Sequence, residues 1–217
     1  MRRGRIILLN GASSSGKSSI GRELLPLLED PWFLVPVDGV SGMRSTVHTR
    51  ELDDAGIAEM LRRTRLGYHR TVAALASVGN DVIMDYPLSE SWRLDDLLAV
   101  LDGYDVTLVE VWCAPDELER REAVRGDRPT GLARSQTLVY SHDAYDIRVD
   151  STATPPPACA KAIAHALPAL TAPKHSTASG PATAPSSHVR RPRRHFCRPR
   201  GRLCRPRGRL RRSSGQM

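Results

Sequence analysis

No stretch of this 217-residue chain stays apolar long enough for a helix to cross a bilayer, so no membrane span is expected. Met1-Arg2-Arg3-Gly4-Arg5 has the charge of an export leader. Only Ile6 to Leu9 follow it before polar Asn10, however, too short an apolar core for secretion. The cytoplasm is the expected location. Cysteine is scarce as well. Cys113 and Cys159 fall in apolar segments, where they read as small hydrophobes, and Cys197 and Cys204 have only His195 nearby. These four imply no disulfide framework and make a poor zinc set. Internal repeats are missing, and no helical face is marked as an interface, so no oligomeric state is assigned.

Acidic residues are absent from one end. From Thr171 onward there is no Asp or Glu against 13 Lys or Arg, while the first 170 residues hold all 24 acids and a net charge of −5. The overall +8 is thus a property of the tail, and a nucleic-acid-binding reading of the whole chain is excluded. The tail, rich in Ala, Pro, Ser and then Arg, cannot bury enough apolar surface to offset ordering, so residues 171–217 are expected to be disordered. Its arginines suit nonspecific contact with nucleic acid or another polyanion. That it adds no function stays open beside this.

What is present is concentrated in Gly11-Ala12-Ser13-Ser14-Ser15-Gly16-Lys17-Ser18. This G-x-x-x-x-G-K-[ST] pattern follows the apolar run Ile6 to Leu9 and precedes a helical period, the strand–loop–helix setting that a phosphate-binding loop requires. Backbone N–H groups of the loop and of the new helix face anionic oxygens. Lys17 reaches the terminal phosphates and the Ser18 hydroxyl suits Mg²⁺. Gly11, Ala12, Ser13, Ser14, Ser15, Gly16, Lys17, Ser18 and Ser19 are therefore the expected nucleotide contacts, with ATP and Mg²⁺ as the implied cofactors.

Strands and helices alternate along residues 1–170, the pattern of a parallel sheet covered on both faces. Strands are expected at Arg5–Asn10, Trp32–Val37, Asp81–Asp85, Asp105–Cys113 and Asp146–Val149. Pro36 places the second at an edge or makes it stop early. Helices are expected from Lys17 to about Leu28, Asp54 to Ser77, Ser91 to Leu101, from Pro115 into the arginine cluster, and Leu132 to Val139. A last one ends by Leu167 with Pro168 as the stop. Val40 to Arg50 reads as loop with at most a helical turn. The fold class is α/β: a three-layer sandwich around a five-stranded parallel sheet, forming one P-loop kinase domain.

Open parallel sheets bind ligands beyond the carboxyl ends of their strands. Asp38 then stands after strand 2, as a base for an acceptor hydroxyl, or as an Asx turn with Gly39. Asp85 ends strand 3, where it can hold Mg²⁺ or the acceptor, or serve as a capping or turn aspartate before Tyr86-Pro87. Arg121, Arg125 and Arg128 form a basic cluster around Gly126, with Arg125 and Arg128 the preferred phosphate grip and Arg128 counted with Asp38 and Lys17 as catalytic. The plainer reading of these arginines is pairing with Glu117 and Glu122 on a solvated helix. Arg44, His48 and Arg50 read mostly as solvated loop. Tyr86, Met43 and Trp92 are weak pocket candidates, Trp92 being more a core residue, and His142 reads as a turn residue.

The ordered set Ile6 to Ser18, Pro31-Trp32, Val37-Asp38, Val82 to Asp85, Glu122 to Arg128 and Tyr145 to Asp150 resembles the chloramphenicol 3-O-phosphotransferase family, over about residues 4–168. The resemblance implies a fold similar to shikimate and adenylate kinases, and transfer of the ATP γ-phosphate to a hydroxyl of chloramphenicol or a related small molecule. It implies Asp38 as catalytic base, Lys17 and Ser18 on phosphate and magnesium, and Arg125 and Arg128 in a lid. The chain departs from the family at Gly39 to Met43 and at Tyr86, where a second aspartate is often found, and both places concern the acceptor. A metabolic or nucleotide kinase is the alternative enzyme, and a nucleotide-binding protein working through its basic tail is the alternative outside enzymes.

Overall fold

The computed structural model describes residues 2–125, 131–142 and 145–171. Five parallel strands, β1 (Arg5–Asn10), β2 (Trp32–Pro36), β3 (Asp81–Asp85), β4 (Asp105–Trp112) and β5 (Ile147–Asp150), lie in the order β2-β3-β1-β4-β5. The first strand is thus central, with Leu9 paired to Asp85 on one side and Val109 on the other. Pro36 ends the edge strand β2, so its missing N–H interrupts nothing.

Alternation along β1 divides the core. Ile6 and Leu8 pack with Tyr68, Val72 and Leu97, which come from α4 (Asp54–Ser77) and α5 (Ser91–Val100). Ile7 and Leu9 face Ile20 and Leu24 of α1 (Lys17–Leu24) and Ile163 of α8 (Pro156–Thr171). This is a helix–sheet–helix sandwich. Each fully buried Leu or Ile contributes about 1.5–3 kcal/mol of apolar transfer, so the period-2 pattern of β1 fixes which residue faces which layer.

α4 starts where Asp53 caps it, its carboxylate accepting from Gly56 N at 2.8 Å. Gly67 does not interrupt this helix. Strand 2 stops early, at Pro36, as its proline leads one to expect. One expectation fails between Val37 and Arg50, where α2 (Val37–Gly42) and α3 (Thr46–Arg50) occupy what reads as loop with at most a helical turn. The fixed φ of Pro36 suits the residue ahead of a helix, and short helices need little intrinsic propensity once packed. α8 runs past Pro168 to Thr171, because a proline in a last turn forfeits only one helical hydrogen bond. α6 (Pro115–Arg125) and α7 (Leu132–Ser135), followed by a 3₁₀ turn over Thr137–Tyr140, complete the carboxyl edge of the sheet. The tail expected to be disordered lies outside the described residues, as does Arg128. No helix among the described residues is long and apolar enough to cross a membrane.

Candidate active site

Between β1 and α1 the loop winds into a concavity. Ser14 and Gly16 both take left-handed backbone angles, with φ of 63° and 89°, which turns successive N–H groups to one side. Gly11 admits no side chain: a Cβ there would stand 2.6 Å from Val111 O. The hydroxyls of Ser13, Ser14 and Ser15 are all buried without a hydrogen-bond partner. Buried hydroxyls are rarely left unsatisfied, so three in one loop suit a ligand rich in acceptor oxygens. The residues fit a polyphosphate.

Lys17 folds back over the loop, its ammonium donating to Ala12 O at 2.7 Å. Ser18 donates to Asp85 at the end of β3. These two hard oxygen donors suit Mg²⁺, which commonly takes one or two protein oxygens and completes its shell with phosphate and water. The loop is braced from behind. Ser13 N–H donates to Gln136 Oε1 at 2.7 Å and Ala12 N–H to the Tyr140 hydroxyl at 3.1 Å. Burial pushes the Tyr140 phenol up to about 12, so it stays a neutral donor to Val111 O.

Two clefts meet at this loop and share Ser14, Gly16 and Ser19. The first, of about 430 Å³, is walled by Arg121 of α6, by Thr154 and Pro155 ahead of α8, and by Pro156 at its start. Arg121 is held in place by Glu117 at 2.7 Å and by Ser151 O at 2.6 Å. Hydrogen bonds from Arg120 and Arg121 hold the Glu117 carboxyl at about 2, so it stays charged. Glu122 is buried and accepts from Gly131 N at 2.7 Å and Ala133 N at 3.1 Å, tying α6 to α7.

The second cleft, of about 400 Å³, is lined by Lys17, Ser18, Asp38, Asp85, Arg65 and Arg93 among others. Asp38 belongs to the first turn of α2 rather than to the end of β2, yet the cleft brings it together with Lys17, Ser18 and Asp85 as the topology implies. Arg125 is the last residue of α6; the preferred arginine pair with Arg128 falls outside what the structure describes, and Arg120 and Arg121 are arginines found in the first cleft. Tyr86 lies fully buried in the core and Met43 is 83% exposed, so neither lines the cleft. Trp92 is half-buried beside Glu90 rather than in the core. Arg44 holds Ser41 O and Thr64, His48 pairs with Glu51 on the surface, Arg50 is exposed, and His142 contacts Leu88 O at 3.2 Å.

Sequence reading misses Arg65, Arg93, Glu90 and Gln136. A signal exists for the arginines: Arg65 precedes buried Tyr68 and Val72 by 3 and 7 residues, and Arg93 precedes buried Leu97 by 4. Each stands in phase with an apolar stripe, where an arginine demands an explanation.

The chain matches the family model described as "Chloramphenicol phosphotransferase-like protein" over residues 4–168. A Mycobacterium tuberculosis (strain H37Rv) protein named "Putative O-phosphotransferase Rv2636" is 29% identical over 179 residues, covering 71% of this chain and 78% of that protein. In structure, the chain is similar to the M. tuberculosis APS kinase CysC in complex with AMPPNP and APS. That likeness has a TM-score of 0.60 at 19% identity, over 77% of this chain and 99% of the other. A gluconokinase from Sinorhizobium meliloti 1021 gives a TM-score of 0.56 at 18% identity, over 78% and 95%. The chain belongs to the chloramphenicol phosphotransferase-like family and has the fold of a P-loop small-molecule kinase.

Proposed function

We propose, from that membership, that the chain transfers the γ-phosphoryl group of ATP to a hydroxyl of a small polar molecule held in the second cleft. The observation that carries this is the meeting of two clefts at one phosphate loop, with Asp38 and Asp85 on one side only. A donor nucleotide lies along the first and an acceptor in the second, so the reacting oxygen approaches the phosphorus from the side opposite the leaving ADP. Asp38 orients the acceptor hydroxyl and takes its proton as the new P–O bond forms and the bond to the bridging oxygen of ADP breaks. Loop N–H groups and Lys17 receive the charge that develops on the phosphoryl oxygens. Ser18 and Asp85 would hold Mg²⁺, which supplies further neutralisation of the phosphates. Arg121 walls the donor cleft, and Arg125 and Arg128 are proposed to join it there.

Chloramphenicol is the acceptor the family description names. A metabolic acceptor is favoured beside it, because Arg65, Arg93 and Glu90 give the second cleft a charged wall, and the same fold carries a gluconokinase and an APS kinase. The test incubates the full chain with ATP, Mg²⁺ and, separately, chloramphenicol and a panel of hydroxylated acids and sugars. ADP release matched by a product heavier by one phosphoryl group supports the reading. Nucleotide binding with no phosphorylated product from any of them would count against it.

A further inference from the structure

Two guanidiniums, those of Arg65 and Arg93, line the second cleft, more positive charge than a hydroxyl acceptor needs. Arg93 of α5 is 8% exposed, and its charge is answered locally. Its Nη1 donates to Pro87 O at 2.9 Å, its Nη2 donates to the Glu90 carboxylate, and its guanidinium lies 5.5 Å from the Tyr86 ring centroid. Arg65 of α4 is half-buried and has no such answer. Its Nη1 donates to the Ser41 hydroxyl at 3.1 Å, and among the described residues no carboxylate lies within ion-pairing distance of it. The Nε atoms of both arginines are buried without a partner. Burial first, and then the like charge of Arg93, push the Arg65 guanidinium below its ordinary value, against the pull of Tyr86 and Asp38 and with a smaller push from Arg44.

A guanidinium withdrawn from water among hydroxyls and other cations is costly to keep charged unless an anion completes it. Each arginine carries five N–H donors in a planar fork, and most of these ten are unspent here. We infer that the acceptor is itself an anion: a small hydroxylated molecule whose oxyanion group, carboxylate, sulfate or phosphate, is gripped by Arg65 and Arg93 while its hydroxyl faces Asp38. The inference rests on the phosphotransfer reading above and specifies its substrate class. It follows from where charge is missing. Of the three carboxylates lining the cleft, Glu90 is engaged by Arg93 and Asp85 by Ser18, and Asp38 pulls on Arg65 only from beyond ion-pairing distance. A neutral acceptor would close the cleft over Arg65 and leave its charge unmet.

The test uses the full chain saturated with AMP-PNP and Mg²⁺, so that the phosphate loop is filled, and titrates inorganic sulfate while the arginine Nε–H signals are followed by NMR. The Arg65 and Arg93 signals are expected to shift saturably. Arg65→Gln should weaken the sulfate affinity roughly tenfold or more, since charge-assisted bonds to an oxyanion are among the strong ones. AMP-PNP affinity should be unchanged in that variant. Arg93→Lys keeps the buried charge and should weaken sulfate less. Signals that stay unmoved, or a sulfate affinity indifferent to Arg65→Gln, would overturn the inference alone. So would uncharged chloramphenicol binding the cleft equally well in wild type and Arg65→Gln. Failure of AMP-PNP to bind at all would overturn the phosphotransfer reading, and this inference with it.

Discussion

The Ser18 hydroxyl donates to Asp85 Oδ2 across 2.5 Å, joining the first turn of α1 to the end of β3. The pairing of Leu9 with Asp85 sets this up, because it brings the end of β3 level with the start of the phosphate loop. Among the described residues no cluster of three or more His, Cys, Asp or Glu is placed to hold a metal, and a site for Mg²⁺ needs none, since the nucleotide supplies the remaining oxygens. Asp85→Asn keeps a hydrogen-bond partner for Ser18 and removes the charge. It should raise the Mg²⁺ concentration for half-maximal turnover roughly tenfold, as loss of a charged ligand does. A magnesium titration of ADP release reads this directly, and an unchanged midpoint would remove Asp85 from the metal's shell.

Asp38→Asn should cut turnover by roughly 10²–10⁴, the usual worth of a positioned general base, while ATP affinity stays within about threefold. Single-turnover phosphoryl transfer and equilibrium nucleotide binding separate the two effects. Turnover within about threefold of wild type would make Asp38 a turn residue after all.

Lys17→Ala should lower kcat/KM by roughly 10²–10³ for every acceptor the enzyme takes, because the lysine acts on the donor phosphates. The loop itself should survive, as Ser14 and Gly16 set its shape. A loss confined to one acceptor would contradict this placement.

His69 gives stability a specific pH dependence. The ring is fully buried, its Nδ1 lies 2.6 Å from Asp96 Oδ2, and its Nε2 has no partner. Burial depresses its pKa below 6.5 despite the raising effect of Asp96. The unfolded chain therefore binds a proton that the folded one resists, so stability falls as pH drops from about 6.5 through the lowered folded value. Above that window the contribution is flat. Thermal melts between neutral pH and mild acid should show the decline, and His69→Gln should flatten it.

Removal of residues 172–217 should leave phosphotransfer unchanged, because the described site is built from residues 11–156. If the 13 basic residues from Thr171 onward bind polyanions, the full chain should retain duplex DNA at low salt and release it steeply as salt rises. The truncated chain, near −5 in charge, should not bind.

Much of the fold is legible because local and global signals agree. β1 and β3 are short apolar runs bounded by polar residues, and α4 begins at an aspartate that caps it, so all three have the limits their residues announce. The phosphate loop is legible for the same reason. α2 is not: Gly39, Ser41 and Gly42 are poor helix formers, and their helix forms because Val37 is buried against the core. Arg65 and Arg93 escape notice because charge in a helix ordinarily means a solvated face. Only tertiary packing reveals which face that is.

The central position of β1 has a consequence for how the molecule is made. The phosphate loop leaves the ribosome well before the strands that flank β1, which begin at Asp81 and Asp105. β2, though nearer in sequence, does not pair with it, since it binds β3 at the sheet's edge. Parallel pairing of this kind closes long loops before it gains contacts, which makes it slow. Nucleotide-binding competence therefore does not precede the completion of β4. A nascent chain stalled before Asp105 would carry the whole phosphate-loop motif and present no site at all.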